Sequence, residues 1–287
     1  MQTIAVLGLG KMGRGIALRF IQKGYKVFVW NRSPDKAAAL LDAGAVWLEN
    51  PGEAGLHTNI VFSIVADDVA SEVVWLGEKG ALQNMSRDSF VIECSTLSLD
   101  HVKYLASKAA ERGLHYIDCP VTGLPDAALN GLLTLLVGAE QTSLVRIKTL
   151  LNEISVFIRY FGTVGSGTAY KLMINLMGAV QIAALAEGIV LAERLGLDPE
   201  VLIAAIENSA AASPQVIRYA RSMVERNFSD HPAFTIELRL KDAGYGMLLA
   251  NSVGSPALLG NVALSCFAAA DEHDGHRDEA CVIKGMM

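Results

Sequence analysis

Charge is scarce in this sequence. Asp, Glu, Lys and Arg make up 19% of its 287 residues, and the balance is −6. That excludes a general nucleic-acid binder, which needs a basic face, but not a small anion held by backbone groups. Cysteine is scarcer, four scattered thiols (Cys94, Cys119, Cys266, Cys281) with no CxxC and no paired metal spacing. A disulfide scaffold and a cysteine-based zinc site are thereby excluded, and a reduced, cytoplasmic protein is expected. Cys119, before Pro120, is read as a buried, inert thiol rather than a nucleophile. Low-complexity tracts are absent and hydrophobic residues reach 52%, which excludes disorder. The first residues lack a basic leader, and Gly8 and Gly10 break their apolar run, so no signal peptide is expected.

What is present is a change of pattern along the chain. Short β-rich runs recur at Thr3–Gly8, Lys26–Asn31, Ala45–Leu48, Asn59–Val65, Phe90–Cys94, Leu114–Asp118, Leu132–Val137 and Val156–Phe161. Helical stretches lie between them, among them Lys11–Lys23, Val69–Trp75, Asp100–Arg112 and Thr142–Leu151. Such alternation with continuous apolar strands predicts a mostly parallel sheet covered on both faces. After Gly162 no strand pattern remains. Asp198–Pro199 and Ser213–Pro214 read as helix N-caps followed by proline at the first helical position. The expected fold class is α/β, a Rossmann-type doubly wound sheet in residues 1–162. An all-helical domain follows in residues 163–287, for substrate binding and dimerisation, entered through a long interdomain helix.

Gly8-Leu9-Gly10-Lys11-Met12-Gly13 is G-x-G-x-x-G, placed after a strand and at the start of a helix. The first glycine permits the turn, the second lets a pyrophosphate approach the backbone, and the third lets helix and strand pack closely. The helix N-terminus then offers free N–H groups to phosphate. At the end of the second strand stand Asn31, Arg32 and Ser33 rather than a carboxylate. An uncharged Asn31, a guanidinium at Arg32 and a hydroxyl at Ser33 favour a 2′-phosphate, hence NADP(H) over NAD(H). The alternative is that these three form only a turn and a cap before Pro34.

The run from Gly165 to Gly196 predicts a helix of about 29 residues, about 43 Å long. Between Leu172 and Ala186 only Asn175 and Gln181 interrupt its apolar residues, the pattern of a helix buried on every side. Those polar residues, with Glu187, disfavour a membrane span. A helix so apolar calls for a second copy of the chain to cover it, and a homodimer or higher homo-oligomer is expected. Lys171 and Asn175, four apart, share one helix face. Desolvation and the positive end of the helix both work against the charge on Lys171, so this amine is expected to give up a proton readily. The alternative is a lysine that snorkels to water at the helix start.

With these motifs in order the whole chain, from Ile4 to about Ile283, resembles the β-hydroxyacid dehydrogenase family. Its members include 3-hydroxyisobutyrate dehydrogenases, tartronate semialdehyde reductases and glyoxylate/succinic semialdehyde reductases. The resemblance rests on GLGKMG at 8–13, Cys-Ser-Thr at 94–96, Asp-Cys-Pro-Val-Thr-Gly at 118–123, Gly165-x-Gly167 with Lys171-x-x-x-Asn175, and Lys241-Asp242. It implies that Lys171 is the general acid in carbonyl reduction and the base in alcohol oxidation, with Asn175 orienting it or the substrate oxygen. Thr122 and Gly123 match the family's substrate-carboxylate loop. Thr96 would touch the nicotinamide ribose, Lys241 would lie beside the cofactor, and Val65 and Ala66 would line it with backbone. Phe234 and Asp242 look like the pair that closes the substrate pocket. The chain departs from the family at Leu124, where Ser-Gly-Gly is common and here reads Thr-Gly-Leu. That residue either adds bulk beside the substrate or points into the core.

The resemblance therefore implies an NADP-dependent oxidoreductase acting between a small aldehyde or oxo-acid and a hydroxy acid. The rivals are an imine reductase of the same architecture, which usually carries an acid or tyrosine in place of Lys171, and a catalytically silent NADP(H)-binding protein. His273 and His276 flank a glycine without a third ligand and read as a turn, so no metal is expected. Neither a nucleic-acid nor a membrane partner is expected.

Overall fold

The computed structural model describes residues 2–287. Nine strands form one sheet: β1 Thr3–Leu7, β2 Lys26–Trp30, β3 Val46–Trp47, β4 Ile60–Ser63, β5 Phe90–Glu93, β6 His115–Asp118, β7 Val121–Thr122, β8 Leu133–Gly138 and β9 Ser155–Gly162. Their order is β3-β2-β1-β4-β5-β6-β8-β7, with β9 on β8. The first six are parallel. β8 runs antiparallel to β6 and β7, and β9 runs parallel to β8. All eight strands expected from the sequence are present, with ends shifted by one or two residues. The ninth, β7, has only two residues, too short for any periodicity to reveal.

The helices over this sheet are α1 Lys11–Gln22, α2 Ala38–Asp42, α3 Ala54–His57, α4 Asp68–Leu76, α5 Leu99–Glu111, α6 Pro125–Asn130 and α7 Gln141–Leu151. Successive strand residues face opposite sides, and both sides are apolar. Ile4 and Val6 join a core with Ile16 and Phe20 of α1 and Leu144 and Ile147 of α7. Ala5 and Leu7 join another with Val74 and Trp75 of α4 and Val102 and Leu105 of α5. Burial on both faces accounts for the unbroken apolar strands. α6 had a readable signature, proline at its first position and a left-handed Gly131 just past its end.

α8 spans Ser166–Arg194, and compact packing divides the chain inside it, between Lys171 and Leu172. The second unit adds α9 Pro199–Glu207, α10 Pro214–Glu225, α11 Ile236–Ser252, α12 Leu258–Asp274 and a 3-10 segment at Glu279–Met286. Asp198 and Ser213 cap α9 and α10 as their sequences indicate, accepting from the Val201 and Val216 amides. Ala179, Ile182, Ala186 and Ile189 of α8 pack in the core of this unit with Tyr219, Ala243 and Phe267. Within one chain the helix is not buried on every side. Met173, Met177 and Leu191 form an exposed apolar stripe along α8, continued by Leu195 just past its end. Hydropathy measures how apolar a helix is, not whether its own chain covers it.

Candidate active site

The parallel strands end at one level. Leu7 pairs in register with Trp30 and Ser63, Ser63 with Glu93, and Glu93 with Asp118. The segments that follow, at 8–13, 31–33, 65–66, 94–96 and 118–123, therefore emerge along one carboxyl edge. The chain order reverses there between β1 and β4, the place where open α/β sheets bind ligands.

The three glycines of the first segment do different things. Gly8 has φ +95°, and a Cβ on it would lie 2.3 Å from the Ile64 carbonyl oxygen. A Cβ on Gly13 would lie 1.9 Å from the Gly8 carbonyl oxygen, so α1 sits hard against the end of β1. A Cβ on Gly10 would meet nothing within 4 Å. Gly10 is also the N-cap of α1 and makes no side-chain cap bond. An open, uncapped helix start fits a pyrophosphate. Lys11 is exposed beside it and Met12 is half-buried against the core.

Leu9 plays a part that its motif position does not reveal. It is fully buried, and its amide donates to Asn31 Oδ1 at 2.9 Å. Asn31 Nδ2 donates to the Ser33 carbonyl oxygen at 3.0 Å. Asn31 thus ties the glycine loop to the end of β2, and Leu9 has no amide left for a phosphate. Arg32 and Ser33 are exposed, and Ser33 makes no side-chain cap bond to the 3-10 turn that follows. A guanidinium and a hydroxyl at that strand end fit a 2′-phosphate.

Below the next two segments lies Glu93, fully buried. It accepts from Ser71 Oγ (2.9 Å), Trp75 Nε1 (2.7 Å), and the Ser95 amide (3.0 Å) and hydroxyl (2.5 Å). Ser95 Oγ in turn accepts from the Val65 amide at 2.8 Å. Burial pushes the Glu93 carboxyl up, and those bonds oppose the shift. Val65 is thus positioned through Ser95, with Ala66 exposed beyond it and Thr96 half-buried beyond Ser95. Cys94 and Cys119 are both buried, as expected of inert thiols. Their hydrogen bond, with burial, pushes the Cys94 thiol well up.

The 118–123 segment meets the start of α8. Asp118 Oδ2 accepts from the amides of Gly165 (3.0 Å) and Thr168 (2.9 Å), and Oδ1 from the Thr168 hydroxyl (2.5 Å). Lys171 Nζ donates to the Val121 carbonyl oxygen at 3.0 Å. The sequence presents this helix start as a bare positive end, whereas the structure places a buried carboxylate on it. The lysine does not simply snorkel away, because its head is held against β7, which carries Thr122 and leads into Gly123. Both of those residues are exposed. Leu124 is 43% exposed, so the alternative in which it points into the core fails.

In the second unit the polar groups are committed to one another. Asn175 Nδ2 donates to Asp242 Oδ2 at 2.6 Å, and Lys241 Nζ lies 2.8 Å from Asp242 Oδ1. Lys241 also lies over the Tyr245 ring. Asp242 is only 2% exposed. It accepts a hydrogen bond from Asn175 and forms an ion pair with Lys241. Phe234 lies under the Arg239 guanidinium, 4.7 Å from its ring centre. Arg239 donates to Glu279 (2.5 Å) and to the Asn175 carbonyl oxygen (3.0 Å), and Tyr219 donates to Glu279 as well. Arg239, Glu279 and Tyr219 escaped the sequence reading because no local spacing marks them.

One constellation that the sequence hides is a look-alike. His115 lies 2.8 Å from Ser143 Oγ and 3.3 Å from Asp88 Oδ1, which suggests a hydrolytic triad. Arg146, which can only donate, sits 2.6 Å from His115 Nε2. A neutral His115 therefore accepts there and donates from Nδ1 to Ser143, the reverse of what a general base needs. Ser143 is also buried. The cluster is structural. Among the described residues no His, Cys, Asp or Glu group could hold a metal.

The comparisons agree with this architecture. Residues 3–164 match the family described as the NAD binding domain of 6-phosphogluconate dehydrogenase. Residues 165–286 match that described as NAD-binding of NADP-dependent 3-hydroxyisobutyrate dehydrogenase. The uncharacterized oxidoreductase YfjR of Bacillus subtilis is 31% identical over 98% of both chains. The chloroplastic glyoxylate/succinic semialdehyde reductase 2 of Arabidopsis thaliana is 28% identical over 99% of this chain and 79% of its own. The structure of the Mycobacterium tuberculosis 3-hydroxyisobutyrate dehydrogenase with L-serine superimposes with a TM-score of 0.90. It is 27% identical and covers 100% of this chain and 99% of that one. Two family matches spanning nearly the whole chain, over a sheet edge with this loop and this lysine, place it in the β-hydroxyacid dehydrogenase family of pyridine-nucleotide oxidoreductases.

Proposed function

We propose that the protein is an NADP(H)-dependent reductase of small aldehydes or oxo-acids, forming hydroxy acids, with Lys171 as acid and base. The observation that carries this reading is the hydrogen bond from Lys171 Nζ to the Val121 carbonyl oxygen. A carbonyl oxygen only accepts, so it aims a proton-bearing amine without competing for the proton. The same strand continues into Thr122 and Gly123, whose hydroxyl and amide suit a carboxylate. When bound, the nicotinamide supplies the hydride equivalent. The residues of the chain hold and orient. The open start of α1 takes the pyrophosphate, and Arg32 with Ser33 takes a 2′-phosphate. Lys171 protonates the carbonyl oxygen in reduction and accepts that proton back in oxidation. Asn175, four residues on in the same helix, gives its Nδ2 to Asp242, which leaves the amide oxygen as an acceptor for a substrate hydroxyl.

Support for the substrate class comes from the relatives, named for glyoxylate, succinic semialdehyde and 3-hydroxyisobutyrate. The test is turnover of NADPH with glyoxylate, succinic semialdehyde and cyclic imines side by side. Lys171→Ala should keep NADPH affinity and lower kcat about a hundredfold or more. Near-normal turnover in that variant refutes the assignment. Turnover restricted to the imines would favour the imine reductase instead.

The chain also works as a homodimer through the exposed stripe of α8. An open apolar cavity of about 540 Å³ beside it, lined by Met173, Leu176, Met177 and Leu259 among others, extends that surface. Apolar surface of this kind marks association sites. Light scattering should give twice the chain mass, and a monomer would overturn this part of the proposal.

A further inference from the structure

Asp118 and Val121, three apart on one segment, hold Thr168 and Lys171, three apart on one helix turn. The two bonds join the same two segments three residues apart on each, and the packing between them is tight. Gly165, at φ +93°, leads into the helix, and a Cβ on Gly167 would lie 2.3 Å from the Leu136 carbonyl oxygen. α8 therefore starts directly on the backbone of β8. Asp118 fills the remaining space, since a Cβ on Gly138 would come within 2.8 Å of its Oδ2. A carboxylate so placed does two things. It satisfies helix-start amides that would otherwise be orphaned, and it sets a negative charge at the positive end of the helix.

We propose that Asp118 is a positioning residue for the reaction, fixing the first turn of α8 against the 118–123 segment and supplying the negative charge that favours the ammonium form of Lys171. The inference rests on the assignment of Lys171 as the acid and base. Asp118 is fully buried. Facing it are Thr168 and the Gly167 amide from α8, the Gly165 amide just before it, and Gly138 from β8. Glu93, its register partner, and Cys94 lie on β5 and just past its end, and Tyr116 lies on β6 itself. Lys103 of α5 passes Gly165. Burial pushes the Asp118 carboxyl up to about 6, against the opposing pull of the bonds from Thr168, Gly165 and Gly167. The raised value means that the anion is present above about pH 6 and lost below it. The Asp118 charge is therefore in place on the alkaline side, where Lys171 loses its proton, and that limb is where its effect on reduction shows.

The experiment compares D118N, T168V and wild type in NADPH-dependent reduction of glyoxylate or succinic semialdehyde across pH. D118N should lower kcat about tenfold, leave the KM for NADPH unchanged, and move the alkaline limb about one pH unit lower. T168V keeps the charge and loses one hydrogen bond, so its alkaline limb should stay in place. A D118N profile whose limb coincides with that of wild type overturns the proposal, because a purely structural role moves no limb. Wild type alone provides a second readout independent of turnover and of whether D118N folds. After reductive ¹³C-methylation, the Lys171 resonance, identified by its loss in K171A, should show an inflection near pH 6. A Lys171 resonance with no inflection between about pH 5 and 7 overturns the proposal. Full turnover in K171A would strike the lysine assignment itself, and the resonance would still report whether the Asp118 charge reaches that amine.

Discussion

At the nucleotide loop, placement depends on atoms that are not there: a Cβ at Gly8 or Gly13 would overlap backbone oxygen. In the helical unit it depends on charge. Arg239 and Glu279, 6% and 1% exposed, pair across 40 residues of sequence, and Asn175 reaches Asp242 across 67. The first arrangement is cheap and local, a turn that works as soon as six residues are in order. The second costs desolvation of two ions and repays it only with complete hydrogen bonding. Its return is placement, for Arg239 also binds the carbonyl oxygen of Asn175. Close approach fixes a ligand's backbone cradle, whereas a buried ion pair fixes where one helix sits against another.

The contrast breaks most visibly at the ion pair. Glu279→Ala leaves the Arg239 guanidinium buried without its counter-ion, and should cost about 3–5 kcal/mol in urea unfolding. An unchanged midpoint would mean that the pair contributes nothing to placing Asn175. At the loop the effects are smaller and separable. Gly13→Ala should cost about 1–3 kcal/mol through overpacking and weaken NADPH binding as well. Gly10→Ala has room for its methyl, so it should unfold like wild type and still lose NADPH affinity, because the methyl occupies the approach of the pyrophosphate. Equal NADPH affinity in Gly10→Ala and wild type, measured by fluorescence titration, would remove the phosphate from that helix start.

The same contrast governs what the sequence could disclose. Gly8, Gly10 and Gly13 were legible because their roles are set by spacing within one turn. Eight strands were legible because sheet burial on both faces leaves unbroken apolar runs. β7 was not, since two residues carry no period, and the exposed side of α8 was not, since composition does not say what covers a helix. Asp118 stood in a recognisable motif, yet its partners Gly165 and Thr168 lie 47 and 50 residues away, so its work became visible only with the fold. Asp242 likewise stood in a recognisable motif, yet its bond to Asn175, 67 residues away, became visible only with the fold.

Arg32 offers the finest test of the comparison, because it is an exposed charge on the locally determined side. It has no buried partner to lose, so Arg32→Glu should leave the unfolding midpoint nearly unchanged. Its effect should fall on cofactor choice. Removing a charge-assisted bond to the 2′-phosphate and placing a carboxylate there should lower kcat/KM with NADPH about tenfold or more, without a matching loss with NADH. The carboxylate can instead accept from a ribose 2′-hydroxyl, which is how NAD-binding sites of this fold discriminate. Equal losses with both cofactors would show that Arg32 serves the loop rather than the phosphate. A wild-type protein that prefers NADH tenfold would overturn the NADP(H) assignment outright, and the 31–33 segment would revert to a turn whose task is to hold Leu9 through Asn31.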